Sequence, residues 1–317
     1  MTPPARSPRP LSTGTYRERV TLTRRTLLLG AGGTLAVVAA GGVAVDEGWL
    51  PGRTRVRGLL GLDGPAGQIP DVTPGRVVSG SFVSRHRLGT ETGWSVIYPG
   101  AAAEPLPVMV CLHGLGGDHT TAISELGLDR FLPAAVAAGV RPFAIATVDG
   151  GTTYWHPRPS GEDAGAMVLD ELLPRLAGQS LRTERLAFQG WSMGGYGALR
   201  LAGLLGAPRV RAVAALSAAL WTDPADASAS GFTDAAEYQR DTVLGHQTEL
   251  HGIRVRLDCG TDDPFCAADR AYVAGFDRPV TSTFAPGAHD AAYWTRMLPH
   301  QLAFVGAALS SGLSSTG

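Results

Sequence analysis

The segment Gly190-Trp191-Ser192-Met193-Gly194 is a G-x-S-x-G motif. It stands between an apolar run ending at Gln189 and a stretch of helical composition from Gly195. A serine on a sharp strand-to-helix turn has its hydroxyl pushed out above a sheet, and the flanking glycines remove side chains that would collide there. Such a serine attacks a carbonyl when a neighbouring base takes its proton and an acid orients that base. In this context the three groups follow in the order Ser, Asp or Glu, His. Of eight histidines, only His289 and His300 lie beyond both Ser192 and the apolar run Arg254–Cys259. His300 falls inside a closing helical stretch and reads as surface or packing. His289, in Pro286-Gly287-Ala288-His289-Asp290 directly after the last predicted strand, is the expected base. The acid belongs on the preceding loop, Gly260-Thr261-Asp262-Asp263-Pro264-Phe265. Successive side chains tend to point apart, so one of the two carboxylates reaches His289. Asp263 is preferred to Asp262, with Asp258 inside the strand behind both.

The anion of a tetrahedral intermediate needs preorganised donors. One is the backbone N–H of Met193, the residue after the nucleophile. The loop His113-Gly114-Leu115-Gly116-Gly117-Asp118 follows an earlier apolar run, and its glycines let backbone approach a substrate. The N–H of Leu115 is the expected second donor. His113 reads as a structural residue that pins this loop, and His119 as exposed or as a pocket residue. Trp155, His156, Trp191 and Trp221 are the candidate pocket side chains. Cys259 and Cys266 flank the acid loop, and a disulfide between them is one of two open readings. No metal site and no cofactor are expected: the histidines are scattered, no paired cysteines stand at zinc spacing, and Gly30-Ala31-Gly32 lacks the third glycine of a dinucleotide fingerprint.

These residues need rigid elements to hold them. Val77–Ser84 and Gly93–Tyr98 read as an opening antiparallel pair. Leu106–Leu112, Pro142–Val148, Arg185–Gln189, Arg211–Leu216, Arg254–Cys259 and Val280–Phe284 are short apolar runs suited to strands buried on both faces. Helical patterns fall over Ala164–Leu176, Gly195–Leu205 and Tyr293–Leu309, and another helix begins near Pro264. The alternation predicts an α/β fold, a mostly parallel sheet with helices on both faces. Its strand C-terminal ends would carry the loops just named. The stretch of about 221–251 interrupts the alternation and is expected to form a short lid.

The first 45 residues are of another kind. They hold six of the 27 arginines and one acid, Glu18, while the rest of the chain carries a net charge of −6. Arg24-Arg25 precedes Leu27–Val45, an uncharged stretch rich in Gly and Ala, which resembles a twin-arginine export signal. The expectation is an exported protein, extracellular or in the cell envelope, or membrane-anchored if the segment is retained. Residues 46–75 read as a linker and 76–317 as the catalytic domain. There is no lysine, and 17% of residues are charged. The acidic body lacks the clustered basic face that nucleic acid requires. The expected partners are a small-molecule, carbohydrate or lipid ester and the twin-arginine export machinery.

Leu112-His113-Gly114-Leu115-Gly116-Gly117, Gly190 to Leu199, Gly260 to Phe265 and Gly287-Ala288-His289-Asp290 together resemble the esterase D-like branch of the α/β-hydrolases. That branch includes S-formylglutathione hydrolases, feruloyl and acetyl-xylan esterases, and mycolyltransferases. The resemblance spans about residues 76–310. Its Gly-x-x-Asp-x-Phe pattern falls on Gly260, Asp263 and Phe265 and implies Asp263 as the acid. Its His-Gly-Leu position implies Leu115 as the second oxyanion donor. The Met-Gly-Gly run after the serine sets the chain nearer the esterases than the mycolyltransferases. The implied activity is an exported serine esterase working through an acyl-enzyme. A cell-envelope acyltransferase with the same triad and a non-catalytic envelope binding protein are the alternatives.

Overall fold

The computed structural model describes residues 61–100, 105–179 and 181–311. The expected signal segment of residues 1–45 and the first part of the expected linker lie outside the described residues. Eight strands form one sheet in the order β1-β2-β4-β3-β5-β6-β7-β8. They are β1 (Arg76–Ser84), β2 (Thr90–Tyr98), β3 (Leu106–Leu112), β4 (Ala144–Val148), β5 (Leu181–Trp191), β6 (Val210–Leu216), β7 (Arg254–Gly260) and β8 (Thr281–Ala285). β1 and β2 pair antiparallel, β2 meets β4 antiparallel, and every later pairing is parallel.

Alternating side chains of the central strands enter opposite layers, as the pleat requires. In β3, Val108, Val110 and Leu112 pack into one buried cluster, while Met109 and Cys111 pack into the other. Helix α1 (Thr121–Ser124), α2 (Leu128–Ala137) and α7 (Ala291–Ser310) belong to the second face. The first face takes α3 (Ala164–Ala177), α4 (Met193–Leu205) and α6 (Cys266–Ala274). Helix α3 runs Ala164–Met167, widens into a π turn over Val168–Leu172 and resumes over Leu173–Ala177.

Helix α2 was not expected from the sequence. Pro133 lies inside it and cannot donate to the carbonyl of Asp129. That carbonyl accepts the N–H of Gly75 instead, at 2.7 Å. Residues 61–75 contain no strand or helix beyond a turn, yet they do not form a free linker. Gly67 N–H donates to Ala292 O at 2.8 Å, and Arg296 reaches the carbonyls of Asp63 and Pro65. A Cβ on Gly67 would lie 2.1 Å from the Arg296 nitrogen, so this strap is laid tightly along the start of α7.

The stretch expected as a lid holds a 3-10 turn at Pro224–Asp226, α5 (Ala235–Asp241) and a second 3-10 turn at Gln247–Leu250. It is docked rather than open. Phe232, Tyr238, Val243 and Leu250 are buried in the first core cluster, and Tyr196 Oη donates to Asp241 O at 2.6 Å. Among the described residues no helix is long and apolar enough to cross a membrane.

Candidate active site

Register brings the parallel strands to a common end. Leu112 aligns with Gly190, Trp191 with Leu216, Leu216 with Asp258, and Gly260 with Ala285. The loops after β3, β5, β7 and β8 therefore open on one edge of the sheet, and these loops carry the residues singled out by the sequence.

Ser192 caps α4 with φ 55° and ψ −123°, a conformation that L residues rarely adopt. It is held from three sides: its N–H donates to Leu216 O at 2.9 Å, and its carbonyl accepts the N–H groups of Tyr196 and Ala219. The glycines around it answer to packing. A Cβ on Gly190 would fall 2.2 Å from Gly194 O, and one on Gly194 would fall 1.9 Å from Leu112 O. This strained turn aims the serine hydroxyl at His289. Ser192 Oγ lies 2.9 Å from His289 Nε2, and His289 Nδ1 lies 2.8 Å from Asp263 Oδ2. The second oxygen of Asp263 accepts the N–H of Phe265 at 2.9 Å, which fixes the carboxylate. The Asp263 side chain is fully buried, whereas the imidazole is a quarter exposed.

His289 is also braced by rings. Phe265 stands edge-on to it at 5.2 Å, and Trp294 does so at 5.0 Å. Trp294 is itself pinned by its Nε1–H, which donates to Ser217 Oγ at 3.1 Å. Met193 is the first residue of α4, so its N–H has no acceptor within the helix. Leu115, with Gly114, Gly116 and Gly117, faces Ser192 across a cavity of about 470 Å³. Thr121, Glu125, Tyr154, Trp191, Phe265, His289 and Trp294 complete its wall.

The other candidates separate clearly. Asp258 is held by Arg256 and by Gln301, away from the imidazole, and His300 is exposed on α7. His113 is the pin expected of it: Nε2 accepts Gly150 N–H at 2.8 Å, which leaves the proton on Nδ1 to be donated to Gly114 O. Burial holds its pKa below the ordinary histidine value. His119 is bonded to Asp149 through Nδ1 at 2.7 Å and does not line the cavity. Asp118, His119 and Asp149 lie close enough to hold an ion; both oxygens of Asp149 and Oδ1 of Asp118 accept the N–H groups of Gly93, His119, Thr120 and Thr121.

Of the expected pocket residues, Trp191 lines the cavity and three do not. Trp155 is wholly buried beneath α4, where a Cβ on Gly197 would come within 2.5 Å of its ring. His156 is also wholly buried; it stacks on Phe232 at 5.0 Å and bonds Gly231 O through Nε2 at 2.8 Å. Trp221 packs behind the wall, against Tyr154 and Phe265. The neighbour Tyr154, at φ 57°, turns toward the cavity while the next two side chains turn into the body. Sequence reasoning singled out neither Glu125 nor Trp294 for the pocket. Trp294 follows the base within the first turns of the next helix, which was the available signal; Glu125 had none.

Cys259 and Cys266 are free thiols, both buried, so the disulfide reading is set aside. Burial raises the Cys259 pKa above the usual thiol range. Beside Cys259, Asp269 on α6 is fully buried, and burial pushes its carboxyl well above the usual carboxylate range.

The family model described as "Putative esterase" matches residues 85–305, more than half of the chain. The chain belongs to this esterase family. No curated protein sequence matches the esterase. Solved structures share its α/β-hydrolase fold. One is a ferulic acid esterase, 20% identical, with a TM-score of 0.64 over 75% of this chain and 100% of that one. Another is an S-formylglutathione hydrolase from Agrobacterium tumefaciens, 20% identical, with a TM-score of 0.62 over 76% and 98%. A third is a fluorophosphonate-binding serine hydrolase of Staphylococcus aureus, 19% identical, with a TM-score of 0.60 over 74% and 99%.

Proposed function

We propose that this carboxylic ester hydrolase is an exported serine esterase that works through an acyl-enzyme. His289 takes the proton of Ser192 as Ser192 Oγ attacks the ester carbonyl. Asp263 holds the imidazole in the tautomer that accepts at Nε2 and stabilises the imidazolium that forms. The oxyanion is received by the N–H groups of Met193 and Leu115. His289 then returns the proton to the leaving alcohol, and water, activated by the same imidazole, releases the acid.

The observation that carries the reading is the unbroken hydrogen-bond chain from Ser192 through His289 to Asp263, opening on a cavity. Export rests on Arg24-Arg25 and the uncharged stretch behind them. Replacing both arginines by Lys, a change that keeps the charge but removes the pair, is expected to leave the protein inside the cell.

The test of the chemistry is hydrolysis of p-nitrophenyl esters of increasing chain length, beside Ser192→Ala. The parent is expected to turn over, and the variant to lose several orders of magnitude in kcat, on the scale of the about 10⁶-fold loss known for a triad serine. A loss below about tenfold, far short of that scale, would show that Ser192 is not the nucleophile. A stoichiometric burst without turnover would move the assignment to an acyltransferase whose acceptor is not water. Neither burst nor turnover would favour a non-catalytic envelope protein.

A further inference from the structure

The charge of the cavity points to a class of substrate, an inference that rests on the esterase reading above. Four aromatic side chains, Tyr154, Trp191, Phe265 and Trp294, share its wall with a single carboxylate, Glu125. Glu125 stands directly after α1, exposed, and no basic side chain among the described residues pairs with it. No arginine among the described residues lines this cavity. Two that lie beside the Tyr154 loop in space are already paired: Arg87 with Glu162 at 3.0 Å, and Arg158 with Glu237 at 3.4 Å. Asp263, the other carboxylate at the site, is buried and committed to His289.

An anionic substituent brought into this space meets an unneutralised carboxylate. It also approaches a chain that is net acidic beyond its first 45 residues. A cation meets the reverse: a counter-charge on an otherwise largely aromatic wall that holds no arginine among the described residues. We propose that the site selects esters bearing a cationic group near the ester bond and discriminates against anionic ones, with Glu125 setting the order. Because Glu125 is exposed and screened, the preference is moderate. About tenfold in kcat/KM between cationic and anionic substrates is what one exposed carboxylate reaches by attracting the one and repelling the other.

The experiment uses three thioesters of one acyl chain: butyrylthiocholine, its neutral carbon isostere 3,3-dimethylbutyl thiobutyrate, and the anionic 2-sulfoethyl thiobutyrate. Released thiol is read with a chromogenic disulfide at low and high salt. The expected kcat/KM order is cationic, neutral, anionic, spread over about tenfold at low salt and compressed at high salt. Glu125→Gln is expected to bring the cationic-to-anionic ratio close to one, and Glu125→Asp to keep most of it. Ser192-dependent turnover with a flat or reversed order, or a ratio unmoved by Glu125→Gln, overturns the charge preference and leaves the esterase standing. If neither these thioesters nor the p-nitrophenyl esters show Ser192-dependent turnover, the esterase reading falls and the charge preference falls with it.

Discussion

Gly194→Ala adds one methyl group beneath the nucleophile and should disable the site. The new Cβ would lie 1.9 Å from Leu112 O, 2.5 Å from Leu112 C and 2.7 Å from His113 O. Real contacts of this kind essentially never fall below 3.0 Å, so more than 1 Å of separation must be found. All three atoms are backbone, and none can rotate aside. Either the N-terminus of α4 lifts, carrying Ser192 and the Met193 N–H, or the end of β3 yields and carries the loop of Leu115. Both routes misplace the nucleophile against its oxyanion donors. A displacement of about 1 Å in a reacting geometry costs on the order of 10²-fold in rate, so kcat/KM should fall at least that far. The control lies on the same helix. A Cβ on Gly203 meets only Glu249, at 2.9 Å from Oε2 and 3.2 Å from Cβ, and touches no residue of the site, so Gly203→Ala should keep the parent activity. The assay is p-nitrophenyl ester hydrolysis with thermal unfolding of each variant. Turnover of Gly194→Ala within threefold of the parent would show that the elbow has slack, and would refute the packing argument.

Asp263→Asn should keep the fold and lose kcat on the order of 10⁴-fold, the scale known when a triad imidazole is left in the wrong tautomer; a loss under about tenfold would remove Asp263 from the triad. Asp269 is expected to impose a pH-dependent cost on the folded state, because burial raises its pKa well above the ordinary carboxylate value. As pH climbs above about 4 the unfolded chain releases this proton and the folded one keeps it, so stability declines by up to about 1.4 kcal/mol per pH unit until the folded carboxyl ionises. Asp269→Asn should therefore melt above the parent at pH 7, with a gap that closes near pH 4; a pH-independent gap would contradict the assignment. Native protein should resist alkylation, and unreduced denatured protein should take up three alkyl groups, since Cys111, Cys259 and Cys266 are all buried free thiols. Uptake of one would restore the bridge between Cys259 and Cys266.

The parallel strands were the most legible part of the fold. β3 fills the predicted Leu106–Leu112 because all seven residues are buried, and such a run has little freedom to start or stop elsewhere. β5 begins earlier than expected, at Leu181, because its outer half alternates exposed and buried residues instead of forming a continuous apolar run. Helix α2 was hidden by Pro133, whose missing hydrogen bond is made good only by the distant Gly75. The triad could be read because chain order and loop position constrain it. The pocket could not, because neighbouring positive-φ residues decide it: Tyr154 and Trp155 have almost the same φ, near 57°, yet one ring meets the cavity and the other the core. Side-chain direction through two consecutive left-handed residues is not encoded in any periodicity.

The guanidinium of Arg296 has a double duty whose effect reaches the boundaries of the working enzyme. It binds the carbonyls of Asp63 and Pro65 on the entering strap, and also that of Pro286, three residues before the base. The upstream chain and the histidine loop thus share one clamp. A protein trimmed to begin at residue 61 keeps it intact. One trimmed to begin at Arg76, where the sheet starts, leaves the clamp half empty and Pro286 tethered to a side chain free to swing. Two preparations with the same complete sheet and the same triad would then differ in how steadily His289 is presented. The first strand is therefore the wrong place to draw the start of the catalytic unit.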